Sequence, residues 1–353
     1  MNQNSPRLSL PVERGKPGRE VWYSLVTHPE REIAFWYRYT LVSTRAEYQE
    51  ARIWAALTDG ERDRDRSFFV TERVPFDSVD VRSDPFELEF PGGELTSSSA
   101  EGSLSFDDNG YNTSVEWDLS YEPDDVTFTP LRSQLLTDIA VAFLGTGRHW
   151  SVNQSVFMNG TLEISADSGS ETIEFENAPG HQGHTFGTSA PSRWTWLHSN
   201  SFEDEDAEDE NVVIEALNVE GRASVCFRRG NETYMLNRLH HVLGVGRRSN
   251  KTEYNEAGRW KFSSGDRREG VELEVEVEVE VNDPGTWKLA RYLTPDGSYR
   301  YCAHSSLADV ELRYRTPEMD SVRKIETSKA RAEWAGENPR VGVEDDYTPN
   351  FDM

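Results

Sequence analysis

The sequence predicts an all-β protein made of two consecutive antiparallel β-barrels or sandwiches with few helices. Short segments in which apolar and polar residues alternate recur along the chain, and Gly, Asp, Asn and Pro separate them. Helical periodicity is scarce, and a length of 353 residues favours two units over one. We therefore expect two β domains that follow each other in the chain.

Segments with a two-residue period are predicted to be strands. In chain order they are 86–90, 103–106, 114–119, 160–164, 172–175, 212–216 and 271–281. The last is the clearest, because apolar residues alternate with glutamates over its whole length. Its apolar side chains are expected to face a core while the glutamates face water.

The connections between the strands indicate how the chain is divided. A helix is predicted over 131–144, where apolar residues recur on one side, with a strand at its end as the alternative. The acidic segment 203–210 is predicted to be an exposed loop. We expect an N-terminal β domain over residues 1–185, a C-terminal β domain over 186–335 and a polar tail over 336–353.

The composition is strongly acidic. Lys and Arg number 37 against 63 Asp and Glu, the net charge is −26, and most of the basic residues are Arg. Such a surface is typical of proteins from a high-salt cytoplasm, because salt screens the repulsion between carboxylates. It argues against binding to nucleic acids, whose phosphates are contacted by clustered Lys and Arg.

The sequence contains few residues that indicate targeting, membrane insertion or disulfide formation. The first 20 residues lack an apolar segment, so we expect no signal peptide and a cytoplasmic location. No apolar run is long enough to span a bilayer, although transient membrane contact stays open, as does the oligomeric state. Cys226 and Cys302 lack metal-ligand spacing and are expected to be buried free thiols.

Residues 177–202 combine features that point to a ligand site. A segment rich in Gly and Pro, predicted to be a turn, carries His181 and His184, and a predicted strand with Trp194 and Trp196 follows it. Because side chains alternate along a strand, both tryptophans should share one face with His198 and Asn200. Aromatic rings beside a few polar groups are typical of a cavity for a large apolar ligand.

This stretch resembles a known pair of families. The residues concerned are Ala178-Pro179, His184, Phe186-Gly187, Trp194-x-Trp196, Asn200 and Phe202. They are similar to the central signature of the tocopherol cyclase and carotenoid 1,2-hydratase (hydroxyneurosporene synthase) families, and 20–23 and 35–40 are more loosely similar. The resemblance implies tandem lipocalin-like domains and an isoprenoid ligand of the carotenoid or prenylquinone type.

The chain departs from that signature at the position of the acid. The hydratases have an aromatic residue, any residue, an aspartate and a histidine, where this chain has His181, Gln182, Gly183 and His184. Glycine cannot protonate a C=C bond. Either His181 or His184 replaces the acid, or a carboxylate reaches in from elsewhere, or the ligand is bound without being hydrated.

The leading prediction is a lipocalin-like protein that binds a large apolar isoprenoid. If it is catalytic, the resemblance implies a cofactor-free hydratase or cyclase that needs no metal. The alternatives are a non-catalytic lipid or pigment carrier and a pericyclase that shapes its substrate without an acid. The expected catalytic residues are His181 and His184. The expected ligand-binding residues are Trp194, Trp196, His198, Asn200, Phe186 and Trp36.

Overall fold

A computed structural model describes residues 4–5, 17–60, 67–108, 111–133, 147–167, 169–202, 211–245, 249–256, 258–278 and 288–336. These residues form two large antiparallel sheets, which confirms the predicted all-β class. The only helical elements among them are α1 (Leu239–Val242) and a 3₁₀ turn at Phe76–Ser78.

The first sheet contains eleven strands, and the last of them includes His181 and His184. Its order is β4-β3-β2-β1-β11-β10-β9-β8-β7-β6-β5, so the first strand pairs with the last. The strands are β1 (Gly18–Thr27), β2 (Ile33–Ser43), β3 (Gln49–Asp59), β4 (Phe68–Val74), β5 (Asp80–Ser83), β6 (Phe86–Phe90), β7 (Gly93–Thr96), β8 (Ser99–Asp108), β9 (Tyr111–Tyr121), β10 (Arg148–Ala166) and β11 (Gly169–Gly187).

The second sheet repeats this plan with ten strands. Its order is β15-β14-β13-β12-β21-β20-β18-β17-β16, with β19 beside β20, and again the first strand pairs with the last. The strands are β12 (Trp194–Ser199), β13 (Val212–Val219), β14 (Arg222–Arg229), β15 (Glu232–Leu236), β16 (Lys251–Glu256), β17 (Arg259–Asp266), β18 (Val271–Glu278), β19 (Lys288–Leu293), β20 (Tyr299–Arg315) and β21 (Arg323–Gly336).

The apolar side chains form three layers. One layer lies inside the first sheet and another inside the second. A middle layer contains residues of both sheets, among them Leu25 and Trp36 of the first and Trp196 of the second. Cys226 and Cys302 are buried free thiols in this middle layer, as expected. The two sheets therefore pack face to face, and side chains between them can contact both.

All seven predicted strands are present. In β18 the apolar residues are buried and alternate with partly or fully exposed glutamates, and 279–281 lie outside the described residues. Most of the predicted helix 131–144 and the whole predicted loop 203–210 also lie outside them; residues 131–133 are irregular.

The predicted turn around His181 and His184 is wrong, because β11 runs straight through it. Its glycines do not end the strand but make room for neighbouring side chains. A Cβ at Gly180 would lie 2.8 Å from Cε of Met158, and one at Gly183 would lie 2.2 Å from Cζ of Tyr23. Glycine in a strand interior commonly marks such close approaches.

The long strand β10 changes its pairing register at a glycine whose replacement would be strained. The pairing of β10 with β11 shifts register between Met158 and Gly160, and Gly160 has φ of +147°. A Cβ there would lie 1.9 Å from the carbonyl oxygen of Asp118. Gly169 has a similar φ of +141°, but a Cβ there meets no atom within 4 Å.

We expect Gly160→Ala to destabilise the protein more than Gly169→Ala. Both changes strain the backbone by about 1–3 kcal/mol, and Gly160→Ala adds overpacking worth about 1–3 kcal/mol. Denaturant unfolding of both variants measures the difference. Equal losses of unfolding free energy would show that the contact with Asp118 does not constrain β10.

Candidate functional site

A cavity of about 100 Å³ lies where the two sheets pack against each other. Tyr23 and Trp36 line it from the first sheet, and Trp194, Trp196 and Tyr292 line it from the second. Aliphatic side chains complete the apolar part of the wall: Val21, Leu217 and Val219. An apolar group in this cavity would contact both sheets at once.

The tryptophan strand β12 places its polar and aromatic groups toward the first sheet. Trp196 is buried in the middle layer, and the ring of His198 lies on the same face, 6.0 Å from it. The indole of Trp194 donates to Oε2 of Glu333 at 2.8 Å. The indole of Trp196 donates to Oε1 of Glu215 at 2.9 Å. Both tryptophans therefore combine an apolar cavity wall with a fixed hydrogen bond.

Glu215 on β13 is a carboxylate buried completely between the sheets. Ser151 Oγ donates to its Oε1, Gln154 Nε2 donates to its Oε2 at 3.2 Å, and His149 Nε2 lies 3.4 Å from Oε1. Burial by itself raises the pKa of Glu215, but the hydrogen bonds from His149 and Ser151 act against burial, and the pKa lies below its ordinary value. Glu215 is therefore ionised at neutral pH.

His149 on β10 connects this carboxylate to the cavity. Its side chain is 15% exposed and lines the cavity directly. Nε2 faces Glu215 and also lies 3.2 Å from Ser151 Oγ, while Nδ1 lies 3.4 Å from Thr185 Oγ1. A histidine held by a buried carboxylate and open to a cavity has the arrangement of a general acid or base.

Two further histidines lie behind this pair. The rings of His181 and His198 are 4.4 Å apart, and both are fully buried. Burial is the main cause that lowers both pKa values well below the ordinary value, aided by His198 at His181 and by Arg331 at His198. His181 Nε2 lies 3.8 Å from Glu215 Oε1. Both rings are therefore neutral at pH 7.

Arg331 on β21 ties the two sheets together. It is fully buried, and its guanidinium donates to His198 Nδ1 at 3.0 Å and Asn200 Oδ1 at 3.2 Å in its own sheet. It also donates to Thr27 Oγ1 at 2.8 Å and to the carbonyl of Pro179 at 3.0 Å in the first sheet. Burial lowers the pKa of Arg331 to about 9.

The structure separates the two histidines that were expected to be catalytic. His184 lies on the opposite face of β11 from His181, inside the first sheet, where its ring stacks on Trp22 at 4.9 Å. Its Nε2 lies 3.0 Å from Glu20 Oε1. Phe186 lies on this inner face too, 5.2 Å from the His184 ring. Of the expected ligand-binding residues, only Trp36, Trp194 and Trp196 line the cavity.

The Tyr23 ring occupies the space beside Gly183, the position at which the resembled families have an acid. A Cβ at Gly183 would come within 2.4 Å of the Tyr23 hydroxyl. Any larger side chain at Gly183 would have to displace this ring. Burial, followed by the nearby charge of Glu215, raises the pKa of Tyr23 well above its ordinary value.

Sequence reasoning missed Glu215, His149 and Arg331. Glu215 could have been recognised from the sequence, since it is the only charged residue in the apolar segment 212–217 and a buried charge needs partners. His149 and Arg331 carried no comparable signal, because their partners are distant in the chain.

A separate cluster holds His240 and His241, which lie on α1 and not on a strand. Together with Asp266 they bring ligand-type atoms within 4.8 Å of one another. His241 Nε2 lies 3.3 Å from Asp266 Oδ2, and Arg238 donates to the same oxygen at 3.2 Å. Because a guanidinium already occupies the carboxylate, the geometry favours an internal ion-pair network.

Comparison with known proteins gives a family and a fold. A family model described as tocopherol cyclase-like matches residues 81–336. The chain is similar to a crystal structure from Nitrosomonas europaea assigned as AttH, with 10% identity and a TM-score of 0.53, over 96% of this chain and 99% of that one. A porin-like protein from Bacteroides uniformis has 10% identity but a TM-score of 0.15, which carries no weight. No curated protein matches.

In the described part of the chain, no helix has the length and apolar character that crossing a bilayer requires.

The buried histidines should make stability depend on pH. Burial lowers the pKa of His304 to about 4, whereas an unfolded histidine titrates near 6.5. Between these values the unfolded chain binds more protons than the folded one, so the free energy of unfolding falls as the pH falls from about 6.5 toward 4.

We expect His304→Gln to lose less stability than the natural chain between pH 7 and pH 5, by roughly 1–2 kcal/mol. Urea unfolding at both pH values measures this difference. His240→Gln is the matched control, because His240 is exposed. An unchanged pH dependence in His304→Gln would contradict the assignment of a neutral, buried His304.

Proposed function

The chain belongs to the tocopherol cyclase-like family, and from this premise we propose that it binds one end of a large apolar isoprenoid in the cavity between its sheets. The observation that carries the proposal is the combination of an aromatic wall with a carboxylate-held histidine, His149, at the same cavity. Aromatic surface would bind the apolar part of the ligand, and His149 would meet its reactive or polar end.

The size of the cavity limits how much of the ligand it can hold. Ligand cavities commonly measure about 300–1,000 Å³, and this one has about 100 Å³. It accommodates a head group or the end of a chain, so the rest of a carotenoid or prenylquinone would lie outside it.

The proposed chemistry is protonation of a C=C bond without a cofactor, leading to hydration or cyclisation. His149 is the proton donor in this proposal. Ionised Glu215 holds its Nε2, and Nδ1, which lies 3.4 Å from Thr185 Oγ1, would deliver the proton to the C=C bond. Trp36 and Trp196 would stabilise the resulting carbocation by about 0.5–2 kcal/mol each. His181 is retained as a positioning group beside Glu215, whereas His184 is held by Glu20 on the other face of β11.

Binding without catalysis is the second candidate. It is supported by Tyr23, whose ring fills the space that a side chain at Gly183 would need. A carrier, or a pericyclase that only shapes its ligand, would use the aromatic wall and would need no acid.

For the cellular setting, we infer a high-salt cytoplasm from the excess of 63 acidic over 37 basic residues.

The proton-transfer proposal is tested with the ligand that co-purifies from the natural host, identified by mass spectrometry of a lipid extract. Turnover of that ligand in D₂O should add one deuterium per product molecule. We expect His149→Gln to lower this rate by about 10²- to 10⁴-fold and to retain binding, because the aromatic wall is unchanged.

His184→Gln is the matched control and should retain the rate, since His184 does not line the cavity. Full activity in His149→Gln would refute its role as proton donor. If the natural chain and both variants bind the ligand but none of them turns it over, the result favours the carrier.

A further inference from the structure

The cavity wall carries more cations than anions, although the chain has a net charge of −26. Three arginines line the cavity, Arg19, Arg38 and Arg148, and the lining contains a single carboxylate, Glu333. Glu333 already accepts a hydrogen bond from the Trp194 indole. Guanidinium groups concentrated in one small cavity of an acidic protein favour an anionic ligand there.

Among the three arginines, Arg19 has the environment that points most clearly to an anionic ligand. It is only 7% exposed, and its Nε has no hydrogen-bond partner within the described ranges of the chain. Burial, followed by the neighbouring charge of Arg38, lowers the pKa of Arg19 to about 10. Leaving a buried charged donor unpaired costs free energy, and native proteins rarely accept that cost without a functional reason.

Other donors lie around Arg19. The Arg38 guanidinium lies 3.8 Å above the ring of Tyr292, and its Nε donates to Thr40 Oγ1 at 3.1 Å, so its position is fixed. The hydroxyl of Tyr292 is buried, and burial raises its pKa well above the ordinary value while the adjacent Arg38 guanidinium acts in the opposite direction. Arg19, Arg38 and Tyr292 therefore place polar groups in the wall of the same cavity.

We infer that the cavity binds, beside Arg19 and Arg38, an oxyanion, a carboxylate or a phosphate, that forms the head of an otherwise apolar ligand. The inference rests on the proposed function and adds a substrate class to it. Planar guanidinium groups suit carboxylate and phosphate oxygens, and hydrogen bonds to charged groups are the strong ones. A volume of about 100 Å³ suits a head group of this size.

The test compares two isoprenoids that differ in the head group. All-trans retinoic acid and all-trans retinol are titrated into the protein, and quenching of tryptophan fluorescence reports binding; farnesyl phosphate and farnesol distinguish phosphate from carboxylate. The variants are Arg19→Met, which keeps the length of the side chain and removes its charge, and Arg45→Met, a matched change at an exposed arginine.

We expect the natural chain and Arg45→Met to bind at least one anionic ligand about 10- to 100-fold more tightly than its neutral partner. Arg19→Met should bring this ratio close to 1 and leave the neutral affinity unchanged. Its melting temperature without ligand should be equal or higher, because a buried guanidinium whose Nε lacks a hydrogen-bond partner among the described residues has been removed. A merely structural arginine would instead lower the melting temperature.

Failure of each proposal gives a different result. Equal affinity of the natural chain for anionic and neutral partners, or a ratio that survives Arg19→Met, would overturn the oxyanion site and leave isoprenoid binding standing. Absence of binding to all four isoprenoids would overturn the proposed function. In that case the melting temperature is measured with and without inorganic phosphate at constant ionic strength. Stabilisation of the natural chain but not of Arg19→Met supports the oxyanion site, and no stabilisation of the natural chain overturns the oxyanion site as well.

Discussion

Polar groups buried between the two sheets must find their partners across the contact, and this requirement fixes how the sheets pack. Glu215 of the second sheet is bonded by Ser151 and Gln154 of the first. Arg331 of the second sheet donates to Thr27 and to the carbonyl of Pro179 in the first. Apolar surfaces alone could slide past each other, whereas a displaced carboxylate or guanidinium would be stranded without water.

The polar groups between the sheets differ in the hydrogen bonds that they make. Both carboxylate oxygens of Glu215 accept hydrogen bonds, and Arg331 donates to four acceptors. Arg331 Nε and both ring nitrogens of His181 nevertheless have no hydrogen-bond partner among the described residues, and the same holds for Arg19 Nε in the cavity wall. The bonds of Glu215 and Arg331 hold the two sheets together, and Arg19 lies where a ligand would bind.

Local periodicity made the strands predictable, while the site depended on distant pairs. The alternation in β18 and β6 identifies a strand without any knowledge of its neighbours, and all such segments were confirmed. The glycines at Gly180 and Gly183 were misinterpreted as a turn, because the side chains that pack on them come from other strands. Glu215 is bonded by Ser151 and Gln154, which lie more than 60 positions away in the chain, and no local pattern could reveal these pairs.

A crystal structure of the complex with retinoic acid would show whether the cavity between the sheets is the ligand site. We expect electron density for the carboxylate within hydrogen-bond distance of the Arg19 guanidinium, with the adjoining end of the polyene against Trp36 and Trp194 and the remainder outside the cavity. Density for the ligand inside either sheet or on an outer face, with the cavity unchanged, would show that the ligand site lies elsewhere.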